Sequence, residues 1–294
     1  MLGRDHILLA GVATLGLAPI VDHSIIHDPI DLVLATVIAA GFGLLPDIDE
    51  PGSTISNKLG STTGHRSIVA PITRLISHIV RKIGGGHRML THSLLFCAIA
   101  GVGFYELDAH WAVWTGAITF FLAAGLTMFA LLPLDLGRSK LITPIVAIGG
   151  GAYLYYHPFA PITLALVVAA GTALHLLGDF LTKDGIPILF PLRKHFALPL
   201  VGRTGGSVES IFGVLLSLGF LVLLFYNVVL PIAHGGIHLP GLLSSGVNAT
   251  KQLVNKGSKM SGITGTVHLP SFADVQYKTT QLEGWIGGHI FPGS

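Results

Sequence analysis

Long apolar runs separated by short polar connections constrain this chain more than any other feature of its sequence. A helix that crosses a bilayer needs about 20 predominantly apolar residues. Seven runs approach or reach this length, at residues 7–21, 30–45, 90–107, 111–132, 141–156, 158–177 and 211–233. Charged residues make up only 11% of the 294 residues, whereas a soluble domain carries about a quarter. The sequence therefore predicts an all-α, polytopic membrane protein with five to seven spanning or half-buried helices.

The distribution of lysine and arginine predicts how these helices are oriented. With seven spans and a cytoplasmic N-terminus, every Lys and Arg before residue 233 falls on one side of the membrane. The opposite connections contain acidic residues but neither Lys nor Arg. Because cytoplasmic loops are enriched in Lys and Arg, we expect the basic side to be cytoplasmic. Within its largest loop, residues 47–89, the segment 68–83 is predicted to form an amphipathic helix on the membrane surface.

The two ends of the chain differ in composition from a membrane helix bundle. Residues 1–21 contain Arg4 and a short apolar run, so a cleaved signal peptide is one alternative. The further apolar runs that follow favour a retained first helix. Residues 234–294 are rich in Gly, Ser and Thr. We therefore predict a membrane domain over 1–233 and an external tail over 234–294 that is a small β-rich appendage or partly disordered.

Histidine is the unusual component of the composition, and the rest of the composition excludes several chemistries. The 15 histidines equal Asp and Glu combined, whereas Cys97 is the single cysteine and rules out a disulfide or a cysteine-rich zinc site within the chain. The sequence contains no H-E-x-x-H, G-x-S-x-G or Walker A motif. It also has no basic run that predicts a nucleic-acid-binding surface.

Histidines and carboxylates cluster at the ends of the apolar runs, all on the predicted cytoplasmic side. The clusters are His6, then Asp47 and Asp49 in "LLPDIDEPGS", His87, Arg88 and His92 in "GHRMLTHSLLF", His175 and Asp179 in "LHLLGDFLTKDG", and Glu209 before the last run. His175 and Asp179 are four residues apart and share one face of a helix. His87 and His92 are five apart, so they converge only if the chain bends near Gly86.

Imidazole and carboxylate ligands in this combination suit Zn²⁺, or Mn²⁺ as an alternative, bound as one or two ions. Such a site activates water for attack on an ester, with Asp47 or Asp49 as the candidate general base. Arg88 and Arg203 could each bind a phosphate through paired hydrogen bonds. Taken singly, these residues could be turn residues, packing histidines or charges that mark the membrane surface. Their joint occurrence on one side favours a metal site.

The motifs, in this order, resemble the YdjM-like family of membrane-bound metal-dependent hydrolases, which are bacterial inner-membrane proteins, some of them LexA-regulated. The resemblance rests on "LLPDIDEPGS", "GHRMLTHSLLF" and "GIPILFP" and covers roughly residues 3–215. It implies a metal-dependent hydrolase in the cytoplasmic membrane.

A more distant similarity is to zinc-dependent phospholipase C and P1-type nuclease. It implies metal ligands at His6, Asp47 or Asp49, His87 or His92, and His175 with Asp179, with Glu209 as a further carboxylate.

The sequence therefore predicts a metal-dependent hydrolase that acts on an ester, in particular a phosphodiester of lipid or nucleotide type. Membrane lipids and a lipid or small-molecule phosphoester are the expected partners. The alternative is a membrane metal transporter or sensor that uses the same ligands without catalysis. A transport path requires polar residues through the depth of several spans, and segments 111–132 and 211–230 contain few of them.

Overall fold

The computed structural model describes residues 1–20, 26, 28–53, 69–131, 139–202 and 205–234. The regular elements in these ranges are helical, which confirms the predicted all-α fold. The helices are α1 (Gly3–Leu17), α2 (Pro29–Phe42), α3 (Val69–Ile83), α4 (Leu94–Leu131), α5 (Ser139–Tyr156), α6 (Pro161–Phe180), α7 (Ser207–Leu224) and α8 (Leu230–Ala233). Short 3₁₀ turns lie at Leu45–Asp49 and Leu90–His92, and a π-helical turn joins α7 to α8 at Phe225–Val229. The predicted tail lies outside the described residues.

Three segments in the described part of the chain are long and apolar enough to cross a membrane. They are Pro29–Asp49, Pro161–Phe180 and Ser207–Ala233, and Trp114–Met128 is a shorter apolar helix. The predicted amphipathic segment also forms a helix, α3, with Leu75 and Ile79 exposed beside exposed Arg81 and Lys82. Its location on a membrane surface stays a prediction.

The predicted runs 90–107 and 111–132 belong to one helix, α4, which bends sharply at Trp111. The backbone of Trp111 leaves the helical region, with φ −133° and ψ 31°. The Thr115 hydroxyl donates to the carbonyl of Leu107 at 3.1 Å as well as to that of Trp111 at 3.2 Å. In a straight helix residues eight apart are separated by about 12 Å along the axis. The bend therefore divides α4 into two segments where the sequence predicts a boundary.

The central helix of the described unit is α2, which packs directly against α4 and α6. Asp28 caps its N-terminus by accepting from the backbone N–H groups of Ile30 and Asp31 at 2.7 and 2.9 Å. A Cβ built on Gly41 would lie 2.5 Å from backbone atoms of Ala123, and one built on Gly171 would collide with the Ala39 carbonyl. Glycine at these positions lets the helix backbones approach closely.

The functional residues gather where α2 and α6 end and α4 begins. The C-terminal end of α2 continues through Gly43 into the Leu45–Asp49 turn, and the Leu90–His92 turn precedes α4. The chain after α6 returns to the same end, because Leu198 N–H donates to the Phe180 carbonyl at 2.7 Å and Leu94 N–H donates to the Ile188 carbonyl at 3.0 Å. This end of the helical unit therefore collects residues from distant parts of the sequence.

Candidate metal centre

His175 and Asp179 lie on the last turns of α6 and are buried completely or almost so. Their spacing of four residues places both side chains on one helix face, as predicted. His175 Nδ1 lies 2.6 Å from the carbonyl oxygen of Gly43. Because a carbonyl can only accept, Nδ1 carries the proton and Nε2 presents its lone pair to the centre. The close approach of α2 to α6 thus fixes the orientation of a potential metal ligand.

His92 is oriented by a neighbouring threonine and a carboxylate. The Thr91 hydroxyl donates to Asp49 Oδ2 at 2.7 Å and lies 3.0 Å from His92 Nδ1. Since the hydroxyl proton goes to the carboxylate, Thr91 Oγ1 accepts from His92 Nδ1. This arrangement leaves His92 Nε2 facing the centre, in the pattern of a histidine that is held for metal binding.

Four ligand atoms from three parts of the chain face one another at this point. His92 Nε2 lies 3.3 Å from His175 Nε2 and 3.4 Å from Asp179 Oδ2. Asp47 Oδ1 lies 3.7 Å from both imidazole nitrogens. His175 Nε2 and Asp179 Oδ2 are 3.8 Å apart. A tetrahedral zinc ion with ligands at about 2.0–2.1 Å requires ligand separations of about 3.3–3.4 Å. The two shortest separations match this range and the other three exceed it by 0.3–0.4 Å, so the atoms are spaced as candidate ligands of one ion.

His6, on α1, adds a further imidazole beside this group. Its ring stacks on that of His175 with 3.7 Å between centroids, and its Nε2 lies 3.3 Å from Asp179 Oδ1. The amino group of Met1 donates to the same carboxylate oxygen at 2.7 Å. His6, His175 and Asp179 therefore form one group of potential ligands, and it shares His175 with the group of Asp47, His92 and His175.

Two buried polar atoms of the cluster lack the hydrogen bonds that burial normally demands. Asp179 Oδ2 and His6 Nδ1 have no hydrogen-bond partner among the described residues. A buried polar atom without a partner costs about 1–3 kcal/mol. The Asp179 atom also faces the two imidazoles discussed above, and a cation bound there would satisfy it. The donor set and this atom both fit a divalent ion.

The charge state of His92 reflects its carboxylate neighbours. Burial disfavours the charged imidazolium, but the carboxylates of Asp179 and Asp47 outweigh this effect and raise the pKa of His92 to about 9. Without a metal ion, His92 therefore holds a proton at neutral pH. A metal ion that binds through Nε2 must displace that proton.

Arg88 extends the centre towards its open side. Its backbone φ is 57°, in the left-handed region that residues with a Cβ rarely adopt. Nη2 lies 3.4 Å from Asp179 Oδ2 and Nη1 lies 3.9 Å from Asp184 Oδ2. Its Nε is buried and has no hydrogen-bond partner among the described residues. The guanidinium is thus held next to the candidate ligands with one donor still available.

The remaining predicted residues lie around the centre or away from it. Asp49 accepts from His87 Nδ1 at 2.9 Å, from the Arg88 N–H at 3.0 Å and from Thr91, so its oxygens are engaged by the 87–91 segment. The chain bends at Gly86, where φ is positive, and this bend brings the ring of His87 to 5.8 Å from that of His92 between centroids.

Glu209 is buried and accepts from the backbone N–H groups of Leu2 and Gly205. His87, Asp49 and Glu209 do not belong to either group of potential ligands among the described residues. Their role as ligands stays a prediction. Arg203 lies outside the described residues.

Three participants were not predicted from the sequence. Thr91 links Asp49 to His92, the Gly43 carbonyl orients His175, and Asp184 lies beside Arg88. A hydroxyl residue directly before a candidate ligand, as in "LTHS", is a signal that could have identified Thr91. A backbone carbonyl carries no signal in the sequence.

Comparison with known proteins gives one match. The family described as YdjM inner membrane protein matches residues 1–237. No curated protein and no solved structure shows significant similarity to the chain. The more distant similarity to phospholipase C and P1 nuclease stays an expectation.

Proposed function

The chain belongs to the family of YdjM inner membrane proteins, and from this premise we propose that it is a membrane-bound, metal-dependent hydrolase of phosphoesters. The observation that carries the proposal is the set of ligand atoms on Asp47, His92, His175 and Asp179, in which His92 and His175 lie 3.3 Å from each other and 3.4–3.8 Å from the two carboxylates. Zn²⁺ is the ion that suits this donor set best, with Mn²⁺ as the alternative.

We assign one ion to this centre rather than two. His175 contributes to both groups of potential ligands, but its Nδ1 is engaged by Gly43 and only Nε2 remains. One imidazole nitrogen binds one ion. His6 then supports the centre by stacking on His175 and contacting Asp179.

In the proposed hydrolysis, the ion and Asp47 have different roles. A divalent ion, when bound, lowers the pKa of water and polarises a phosphoryl oxygen. Asp47 is the candidate base, because 23% of its side chain is exposed whereas the other three ligands are buried. Its oxygen that does not face the imidazoles accepts the proton of the attacking water. The water oxygen bonds to phosphorus, the ester P–O bond breaks, and the leaving oxygen takes a proton from solvent.

Arg88 is proposed to bind the phosphate. A guanidinium donates paired hydrogen bonds to phosphate oxygens, and Arg88 Nε is an available donor beside the ligands. We also propose that Arg203, the second arginine predicted from the sequence, binds the phosphate. We further propose that the N-terminus and the centre face the cytoplasm and that the 234–294 tail lies outside, with a phosphoester from membrane lipid as the preferred substrate.

Metal content and phosphodiesterase activity together test the proposal. Purified full-length protein in detergent should contain one Zn or Mn per chain and hydrolyse bis(p-nitrophenyl) phosphate or a phospholipid headgroup ester. Arg88→Lys keeps the charge but loses the paired donors, so it should raise KM more than it lowers metal content. Protein without stoichiometric metal would overturn the proposal. Bound metal without cleavage of any phosphoester would favour the transporter or sensor alternative.

Thr91→Val is expected to weaken metal binding by about 10–100-fold, the usual effect of losing a partner that orients a ligand. Valine keeps the shape of threonine but removes the hydroxyl between Asp49 and His92. Competition with a fluorescent chelator measures the affinity. Thr91→Ser, which retains the hydroxyl, should bind metal as the unaltered protein does. Equal affinity for Val and Ser would show that the hydroxyl does not orient His92.

Metal binding at neutral pH is expected to release about one proton per ion. The pKa of His92 is raised to about 9 in the metal-free protein, so the imidazolium must lose its proton before Nε2 can bind. The apparent affinity therefore falls as pH is lowered from 9, and it levels off above that pH. Calorimetric titration in two buffers of different ionisation enthalpy counts the released protons. A count near zero at pH 7 would contradict a protonated His92.

A further inference from the structure

The segment that follows the metal centre is an exposed loop rich in leucine and basic residues. This interfacial loop, residues 183–202, exposes 47–66% of the side chains of Leu189, Leu192, Leu198 and Leu200. Arg193 and Lys194 are exposed between them. Exposed leucines at this density are unusual for a surface in water.

Main-chain hydrogen bonds fix the interfacial loop at the end of the helical unit. Ile186 and Phe196 exchange hydrogen bonds of 3.0 and 2.9 Å, which close the loop into a hairpin. Val201 N–H donates to the carbonyl of Leu181 at 3.0 Å, just after α6. Together with the bonds from Leu198 to α6 and from α4 to Ile188, these bonds hold the leucines beside the C-terminal end of α6 and the N-terminal end of α4.

The helix α3 presents the same combination next to the centre. Leu75, Ile79 and Ile83 expose 48–75% of their side chains on one side of the helix. The charged residues of α3 are all basic. Arg81 Nη1 lies 3.7 Å from Oε2 of Glu50, the residue that directly follows the Leu45–Asp49 turn. Both elements therefore carry exposed apolar residues with basic neighbours, and both adjoin the metal centre.

We propose that the interfacial loop and α3 form a docking surface for the anionic headgroup layer of the bilayer, with their leucines and isoleucines inserted among the acyl chains. Apolar side chains partition into the boundary between headgroups and acyl chains, and adjacent lysines and arginines bind anionic headgroups. Asp184 is the one acidic residue of the loop and lies at its start, whereas residues 185–202 carry Arg193 and Lys194 and no acidic residue, so the charge of this part favours an anionic surface. The surface places lipid headgroups beside Arg88, although this proposal does not depend on hydrolysis.

Environment-sensitive fluorophores on single cysteines test the docking surface. Cys97 is the only cysteine, so Cys97→Ala provides a background for labelling. Full-length protein labelled at Leu192→Cys is reconstituted in vesicles of equal parts phosphatidylcholine and phosphatidylglycerol. The label should be quenched several-fold more strongly by spin-labelled lipid than one at Asp184→Cys, whose native side chain is 74% exposed. Spin-labelled lipid should likewise quench a label at Ile79→Cys more strongly than one at the neighbouring His78→Cys.

The lipid charge provides the second comparison. In pure phosphatidylcholine, quenching at residue 192 should fall several-fold, and Arg193→Gln with Lys194→Gln should produce the same fall in the anionic vesicles. If the Leu192 label is as accessible to aqueous iodide as the Asp184 label, the docking surface is overturned. If quenching is equal in both lipids, the preference for anionic lipid is overturned. Monodisperse elution of each labelled variant in detergent verifies the fold, and the fluorescence comparison is unaffected by failure of the hydrolase proposal.

Discussion

His175→Ala and Asp179→Asn are each expected to reduce metal affinity by more than about 100-fold, since even residues that only orient ligands contribute about 10–100-fold. Each variant removes one of the four candidate ligand atoms and its short contacts with the others. Loss of bound metal should abolish phosphoester hydrolysis at the same time. Mass spectrometry of the purified protein gives the metal stoichiometry, and a phosphodiesterase assay gives the activity.

Matched controls separate loss of a ligand from a general effect of the substitution. His110→Ala removes a histidine that is 71% exposed, and Glu106→Gln neutralises a carboxylate that is 61% exposed. Both should retain full metal content and activity. Retention of stoichiometric metal by His175→Ala and Asp179→Asn would refute the assigned ligand set, whereas metal loss in the controls would indicate non-specific binding.

The second large effect is expected from Gly171→Ala, although it adds only one methyl group. The new Cβ would collide with the backbone of Ala39, which cannot move without separating α6 from α2. Overpacking of this kind typically costs about 1–3 kcal/mol. Because the Gly43 carbonyl at the end of α2 orients His175 on α6, the separation should also weaken metal binding. Thermal inactivation and metal titration measure the two effects.

Gly103→Ala is the matched control for this prediction. Gly103 lies in α4, where an added Cβ would meet no atom within 4 Å. Alanine favours helix over glycine by about 1 kcal/mol, so this variant should be as stable as the unaltered protein or more so. Equal thermal stability of Gly171→Ala and Gly103→Ala would contradict the proposed backbone contact.

The sequence was sufficient to predict most of the centre, because its residues are constrained by helix geometry and topology. His175 and Asp179 share a face through their spacing, and the agreement of polar clusters on one side predicted that His6, Asp47 and His92 would meet. The choice between Asp47 and Asp49 could not be made. In a 3₁₀ turn with three residues per turn, side chains two apart point in different directions, so Asp47 faces His92 and His175 whereas Asp49 contacts His87.

Local backbone bends account for the rest of what the sequence could not predict. The spacing of His87 and His92 required a bend near Gly86, and Gly85 and Gly86 adopt positive φ angles there, but the positive φ of Arg88 has no sign in the sequence. The runs 90–107 and 111–132 predicted a boundary near Trp111, but not that one helix continues across it with a bend. Helix existence follows from composition, whereas the path of the chain between helices depends on such single residues.

The separation in sequence of the candidate ligands would give a bound ion a structural role. His92 and His175 are 83 positions apart, and other contacts of the centre join the first residues of α1 to the end of α6. An ion bound there acts as a cross-link that closes long loops, and the entropy cost of closing a loop grows only slowly with its length. A bound ion would therefore link early and late helices of the chain, and its removal is expected to lower the stability of the helical unit as well as the proposed activity.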